Sequence, residues 1–181
     1  MSCIVAIKHG GDIWMGADSV GTGGYSCTTR KDPKIYQVGP FLIGFTSSYR
    51  MGQILAYSFV PPDHDDSIVD VHRYMASTWI DAVRSVLSMG GYTRKENESE
   101  EGGTFIVAYK GRIFKVEDDF QVGESALEFD SCGAGSDIAL GSLYTSTGMD
   151  DPKFRIERAL SAASEFNSAV RGPFFITKQC P

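Results

Sequence analysis

The chain has 181 residues with 17 Lys/Arg against 23 Asp/Glu, a net charge of −6, and 42% hydrophobic and 22% charged residues. That balance is ordinary for a soluble globule, and a single domain is expected over 1–181. The acidic excess and the absence of a Lys/Arg block argue against nucleic acid or an anionic membrane as partner. No apolar run approaches the roughly 20 residues of a bilayer span. Cys3, Cys27, Cys132 and Cys180 form no CxxC pair, and His9, His64 and His72 show no ligand spacing, so neither a metal nor a cofactor is expected. The amino terminus has no basic start and apolar core of the secretion type. A cytoplasmic location with reduced thiols is the expectation.

In chain order, residues 3–8 and 13–18 read as strands joined by His9-Gly10-Gly11-Asp12, a hairpin connection. Val20 to Tyr25, with three glycines, reads as an irregular loop. Lys34–Val38 and Phe41–Phe45 form a second strand pair around Gly39-Pro40. These runs are continuously apolar, as in strands covered on both faces. A helix is expected from near Ser48 to before Pro61-Pro62, then a polar connection over Asp63–Asp66. Ser67, with Asp70 three residues on, then reads as the cap of a longer helix. Its apolar face is Ile68, Val71, Met75, Trp79, Ala82, Val83 and Val86, and it stops at Gly90-Gly91. Arg94–Glu101 is charged and reads as a solvated loop. Thr104–Tyr109 and Arg112–Val116 form another hairpin. Helices follow from near Ser136 and from Asp151-Pro152, the latter broken by Gly172-Pro173, and Phe174–Ile176 closes as a strand. Strands and helices in blocks indicate α+β. Continuous apolar strands then fit a four-layer αββα sandwich of two antiparallel sheets flanked by helices.

Ser2 carries the chemistry. Methionine aminopeptidases remove Met ahead of a small residue, so Ser2 can become the terminus. A terminal serine holds a hydroxyl nucleophile and an α-amine of pKa about 8 on one residue. Cys3 is a rival nucleophile on the opposite face of the strand. Taken singly, Asp18 and Lys34 could be an ordinary buried ion pair, and Ser48 a helix cap.

Taken together, these residues resemble the amino-terminal nucleophile hydrolases, and within them the proteasome β-subunit and HslV-like peptidases. The likeness lies in Ser2-Cys3-Ile4-Val5-Ala6, Gly16-Ala17-Asp18-Ser19, Asp32-Pro33-Lys34-Ile35, Leu42-Ile43-Gly44-Phe45-Thr46-Ser47-Ser48 and Cys132-Gly133-Ala134-Gly135-Ser136. Asp18, Lys34 and Ser48 stand 16, 32 and 46 positions after Ser2, an ungapped match to the family register. The resemblance implies Ser2 as nucleophile, with its amine as base. Lys34 would favour the alkoxide, Asp18 would hold Lys34, and the backbone N–H of Ser48 would face the oxyanion. It also implies that Thr22 pairs with substrate backbone, and that Gly21, Tyr36, Thr46 and Arg50 line the pocket beside Ser2. The partners it implies are a peptide or amide substrate and further copies of the chain in a ring; it names no ATPase partner.

The chain also departs from the family. Ser2 replaces the usual threonine. Ala134, Asn167 and Val170 stand where the family has groups that hydrogen-bond around the terminal amine, with Ser136 or Ser168 as substitutes. Three functions follow: an amide-bond hydrolase of the peptidase type activated by loss of Met1, a non-catalytic assembly subunit, and a small-molecule amidase.

Overall fold

The computed structural model describes residues 2–24, 26–65, 67–96 and 99–180. Met1, Tyr25, Asp66, Asn97, Glu98 and Pro181 lie outside the described residues. So do the expected release of Met1 and parts of the expected connections at 20–25, 63–66 and 94–101.

Two antiparallel sheets form the centre. The first runs β12-β1-β2-β13, with β1 Cys3–His9, β2 Asp12–Ala17, β12 Phe129–Gly133 and β13 Phe175–Lys178. The second runs β11-β10-β9-β6-β5, with β5 Ile35–Val38, β6 Phe41–Phe45, β9 Phe105–Tyr109, β10 Arg112–Val116 and β11 Val122–Glu124. The β1–β2 hairpin closes through Gly10 and Gly11 at φ +59° and +88°, the left-handed values a two-residue turn demands.

Alternation along the strands builds the layers. Ile4 and Ala6 point between the sheets, against Ile35, Leu42, Ile106 and Ala108. Cys3, Val5 and Ile7 point the other way, onto α4 (Ser136–Thr145) and α5 (Pro152–Phe166). In β6, Leu42 joins the inner layer, while Phe41, Ile43 and Phe45 face α1 (Tyr49–Tyr57) and the long helical segment. That segment is α2 (Val71–Tyr74), a π-helical turn (Met75–Trp79) and α3 (Ile80–Met89). Helices therefore cover both sheets, and the strands are apolar on both faces for that reason. Each fully buried aliphatic side chain contributes about 1.5–3 kcal/mol. The architecture is the αββα sandwich the strand pattern implies.

Several expectations need correction. The long helix starts at Val71 with Asp70 as its cap, its carboxylate accepting from His72 N at 3.0 Å and Arg73 N at 3.2 Å. Ser67 instead bonds to Asp65 through both its backbone N–H and its hydroxyl, a local turn that competes with helix. Ile68 consequently falls outside the helix and is 79% exposed. The glycine-rich stretch after β2 is not an irregular loop but β3 (Val20–Gly23), paired with β4 (Ser26–Thr29). Backbone pairing holds this hairpin, and β4 is exposed throughout, so it carries no apolar pattern to read. Arg94–Glu96 and Ser99–Glu101 likewise pair as β7 and β8. The last helix ends at Phe166, six residues before Gly172.

Candidate active site

Ser2 immediately precedes β1. The period-2 alternation of that strand puts its side chain on the face of Ile4, between the sheets. Asp18 follows β2, the strand paired with β1, and Lys34 precedes β5 in the opposite sheet. The site is thus assembled where one end of each sheet meets the other. All three residues are 1% exposed.

The Asp18 carboxylate links the pieces. One oxygen accepts the Cys3 backbone N–H, the amide that follows Ser2, at 2.9 Å. The other accepts Lys34 Nζ at 2.8 Å and Val20 N at 3.0 Å. Lys34 Nζ donates a second bond to the Val20 carbonyl at 2.6 Å. Two buried charges of opposite sign thus hold each other, with backbone groups filling the remaining valences, which offsets the desolvation of each. Burial pulls the Lys34 ammonium below the ordinary lysine range, and the Asp18 charge and hydrogen bond oppose that pull.

Cys3 points away, into the helix-facing core, and bonds Ser131 Oγ at 3.8 Å. Burial pushes its thiol up to about 12, which removes it as a thiolate nucleophile.

Ser48 caps α1 with φ −151° and ψ 138°, its hydroxyl accepting Arg50 N at 3.1 Å. Its backbone N–H donates to no other group among the described residues. The cap reading and the anion-donor reading are therefore compatible, since the side chain and the N–H do separate work. Thr46, two residues earlier, is fixed by its hydroxyl to the Thr104 carbonyl at 2.8 Å.

Thr22 sits on β3, opposite Cys27. Among the described residues β3 pairs with β4 alone, so its second edge is open to another strand. At Gly21 a Cβ would lie 2.8 Å from Arg30 Cδ and 3.5 Å from the Tyr49 ring. Arg30 in turn stacks over Tyr49 at 3.8 Å and pairs with Asp32 at 2.7 Å. Tyr36 lies beside Phe45 at 6.2 Å between ring centroids, and burial lifts its phenol to about 12. Arg50 reaches out to the Gly90 carbonyl at 3.4 Å. Arg30, Asp32 and Tyr49 were absent from the expected lining. Their proximity follows from the β3–β4 hairpin, which the glycines concealed.

The far side of Ser2 is built from the turn after β12. Gly133 has φ +97°, and a Cβ there would lie 2.4 Å from the Ser2 carbonyl oxygen and 2.8 Å from Thr46 Cγ2. Only glycine allows so close an approach in that conformation. The Ser2 carbonyl accepts Gly135 N at 3.3 Å. Asn167 donates to the Ala134 carbonyl at 2.7 Å, and Val170 is fully buried behind Gly135. The three departing positions therefore gather at this turn. Ser168 is exposed, whereas Ser136 borders the cleft beside Gly133.

Neither a protein-family model nor a curated protein matches the chain. Solved structures match over nearly its full length. Thiobacillus denitrificans BPH, in a complex with epoxomicin, superposes with a TM-score of 0.78 at 23% identity, covering 99% of this chain and 100% of that one. Eukaryotic HslV from Trypanosoma brucei gives 0.66 at 12% identity, with 97% and 98% covered. Anbu, an ancestral β-subunit from Yersinia bercovieri, gives 0.67 at 14% identity, with 97% and 80% covered. The chain has the proteasome-like fold of the amino-terminal nucleophile hydrolases.

Proposed function

We propose that the chain is an amide-bond hydrolase of the peptidase type, with Ser2 as nucleophile once Met1 has been removed. The observation that carries this reading is the single Asp18 carboxylate that binds both the amide following Ser2 and the Lys34 ammonium. Ser2 Oγ attacks the amide carbonyl as the Ser2 α-amine takes the hydroxyl proton. The Ser48 N–H faces the resulting oxyanion. The C–N bond then breaks, the departing nitrogen receives the proton, and an acyl ester remains on Ser2. Water, deprotonated by the same amine, hydrolyses that ester and frees the acid. Lys34 lowers the cost of the negative charge on Oγ, and Asp18 fixes Lys34 in place.

The substrate's acyl half lies along the open edge of β3 at Thr22. Gly21, Tyr36, Thr46 and Arg50, joined by Arg30 and Tyr49, surround its first side chain. The protein works as one domain in the cytoplasm, as a homo-oligomeric ring.

The test pairs the intact mass of protein from its native host with turnover of short acylated peptide amides. A terminus beginning at Ser2, and hydrolysis abolished in Ser2→Ala, supports the reading. A retained Met1 with no turnover supports the assembly subunit instead, for which the apolar Ala134 and Val170 beside the site are the favouring observation. Faster cleavage of acylated single amino acids than of peptides would assign a small-molecule amidase.

A further inference from the structure

A cleft of about 480 Å³ opens at the end of β1 far from Ser2. Its volume falls within the range of about 300–1,000 Å³ common for small-ligand sites. The end of β1 at Lys8 forms one side, the residues leading into β12 another, and the connection from α4 to α5 the third. Lys8 N donates to the Glu128 carbonyl at 2.7 Å and ties the first two sides together. Arg155, in the first turn of α5, completes the lining. Extended chain from Ser2 to Lys8 spans about 20 Å, so this cleft lies apart from the candidate active site.

Arg155 is the unusual group. It is 5% exposed, yet it pairs with no carboxylate among the described residues. Its Nε donates to Ser146 Oγ at 3.4 Å and its Nη2 to the Leu143 carbonyl at 3.2 Å, both longer than the usual bond of about 2.9–3.0 Å. These bonds cap the carboxyl end of α4, where a cation is favoured. They use only part of a guanidinium's set of N–H donors. Nη1 makes no hydrogen bond among the described residues and is not sealed off as the Tyr49 hydroxyl and Trp79 Nε1 are, so it opens to the cleft that Arg155 lines. Lys8, half-buried, also forms no ion pair among the described residues. With His9 neutral, the formal charges of the lining cancel, Lys8 and Arg155 against Glu128 and Asp150. Their placement does not cancel. Both carboxylates are exposed to water, whereas Arg155 is desolvated and short of acceptors.

We propose that this cleft binds a small carboxylate with an apolar body. The carboxylate takes the free N–H groups of Arg155, whose planar fork matches it, and Lys8 adds a second positive charge. The body lies against Leu127, Tyr144 and Met149, exposed side chains that line the same cleft. A neutral amide of the same shape supplies no countercharge to the guanidinium. A bare anion leaves the three apolar side chains in water. The inference does not rest on the hydrolase reading.

Full-length protein titrated with phenylacetate, with its neutral isostere phenylacetamide and with acetate, and followed by backbone amide NMR shifts, tests the site. Phenylacetate should bind about tenfold or more tightly than either, through the charge-assisted contact that the amide lacks and the apolar contact that acetate lacks. The shifts should centre on Lys8, Leu127 and Thr147. Arg155→Met, its fold checked by a melting curve, should erase the preference for phenylacetate over phenylacetamide. Lys8→Gln should cut that preference about twofold or more. Because Arg155 also caps α4, an Arg155→Met protein that does not fold leaves Lys8→Gln to decide: a reduced preference supports the site, and an unchanged one overturns it. Equal binding of phenylacetate and phenylacetamide, a preference that survives in folded Arg155→Met, or shifts centred elsewhere would also overturn the inference. Phenylacetate binding no tighter than acetate would overturn it too, leaving an adventitious ion only.

Discussion

Ser2 lies between two unlike neighbourhoods. On one side, Asp18 and Lys34 are fully buried and bonded to each other and to backbone groups. On the other, the turn over 133–136, which carries Ala134, meets a backbone-bound Asn167 and a buried Val170. The first neighbourhood is expensive to build: two charges out of water survive only as a complete set. The second is cheap, made of close backbone contact and apolar packing. On the proposed reading, the groups that would favour an alkoxide at Ser2 are charged and fully bonded, while the turn beside its carbonyl offers apolar and backbone groups.

That contrast can be broken most severely at the proposed nucleophile. Ser2→Ala should lower amide turnover by about 1,000-fold or more with little change in melting temperature. An activity loss below tenfold would move the chemistry elsewhere. Lys34→Met comes next, because it leaves the Asp18 carboxylate buried without its cation and should cost about 3–5 kcal/mol in denaturant unfolding. Adding Asp18→Asn to Lys34→Met should recover part of that loss. If the double variant is no more stable than the single one, the two charges are not coupled. Gly133→Ala tests the cheap side. Its Cβ would meet the Ser2 carbonyl in a left-handed backbone, so about 1–3 kcal/mol of stability and most of the activity should go together. Asp130→Asn is subtler. Burial holds that carboxyl above its ordinary 3.8, so the folded state binds the proton more tightly than the unfolded one. Stability from the protonated form is present below 3.8 and declines as pH rises through the raised folded value. The asparagine variant should therefore melt higher than wild type at neutral pH, and the gap should close on acidification toward 3.8. The smallest effect is expected from Ala134→Ser, which adds a hydroxyl to the turn that bonds the Ser2 carbonyl and should raise turnover a few-fold at most.

The sequence made different parts of this molecule legible to different degrees. Strands packed on both faces announce themselves, as in Phe41–Phe45, because burial selects continuous apolar residues. The Asp18–Lys34 pair and the Ser48 cap were readable because each residue sits at the end of such a strand or at the start of a helix. The β3–β4 hairpin was not, since its pairing uses backbone groups and leaves β4 in solvent. With it went Arg30 and Tyr49, which reach Gly21 only once the hairpin folds back. β12 escaped for another reason. Its buried Asp130 and Ser131 are polar residues in a core strand beside a site, where local pattern and burial disagree. Ser67 was a plausible cap, and Asp65 beside it turned the chain first.

Covalent capture tests the central claim most directly. Host-purified protein would be incubated with a peptide epoxyketone, whose ketone and epoxide carbons can each meet a nucleophile on one residue, and then mapped by peptide mass spectrometry. The account predicts one adduct of the full probe mass on an amino-terminal Ser2 peptide, formed much more slowly in Lys34→Met that remains folded. An unlabelled Ser2 with a free amine, or labelling indifferent to Lys34, would contradict it.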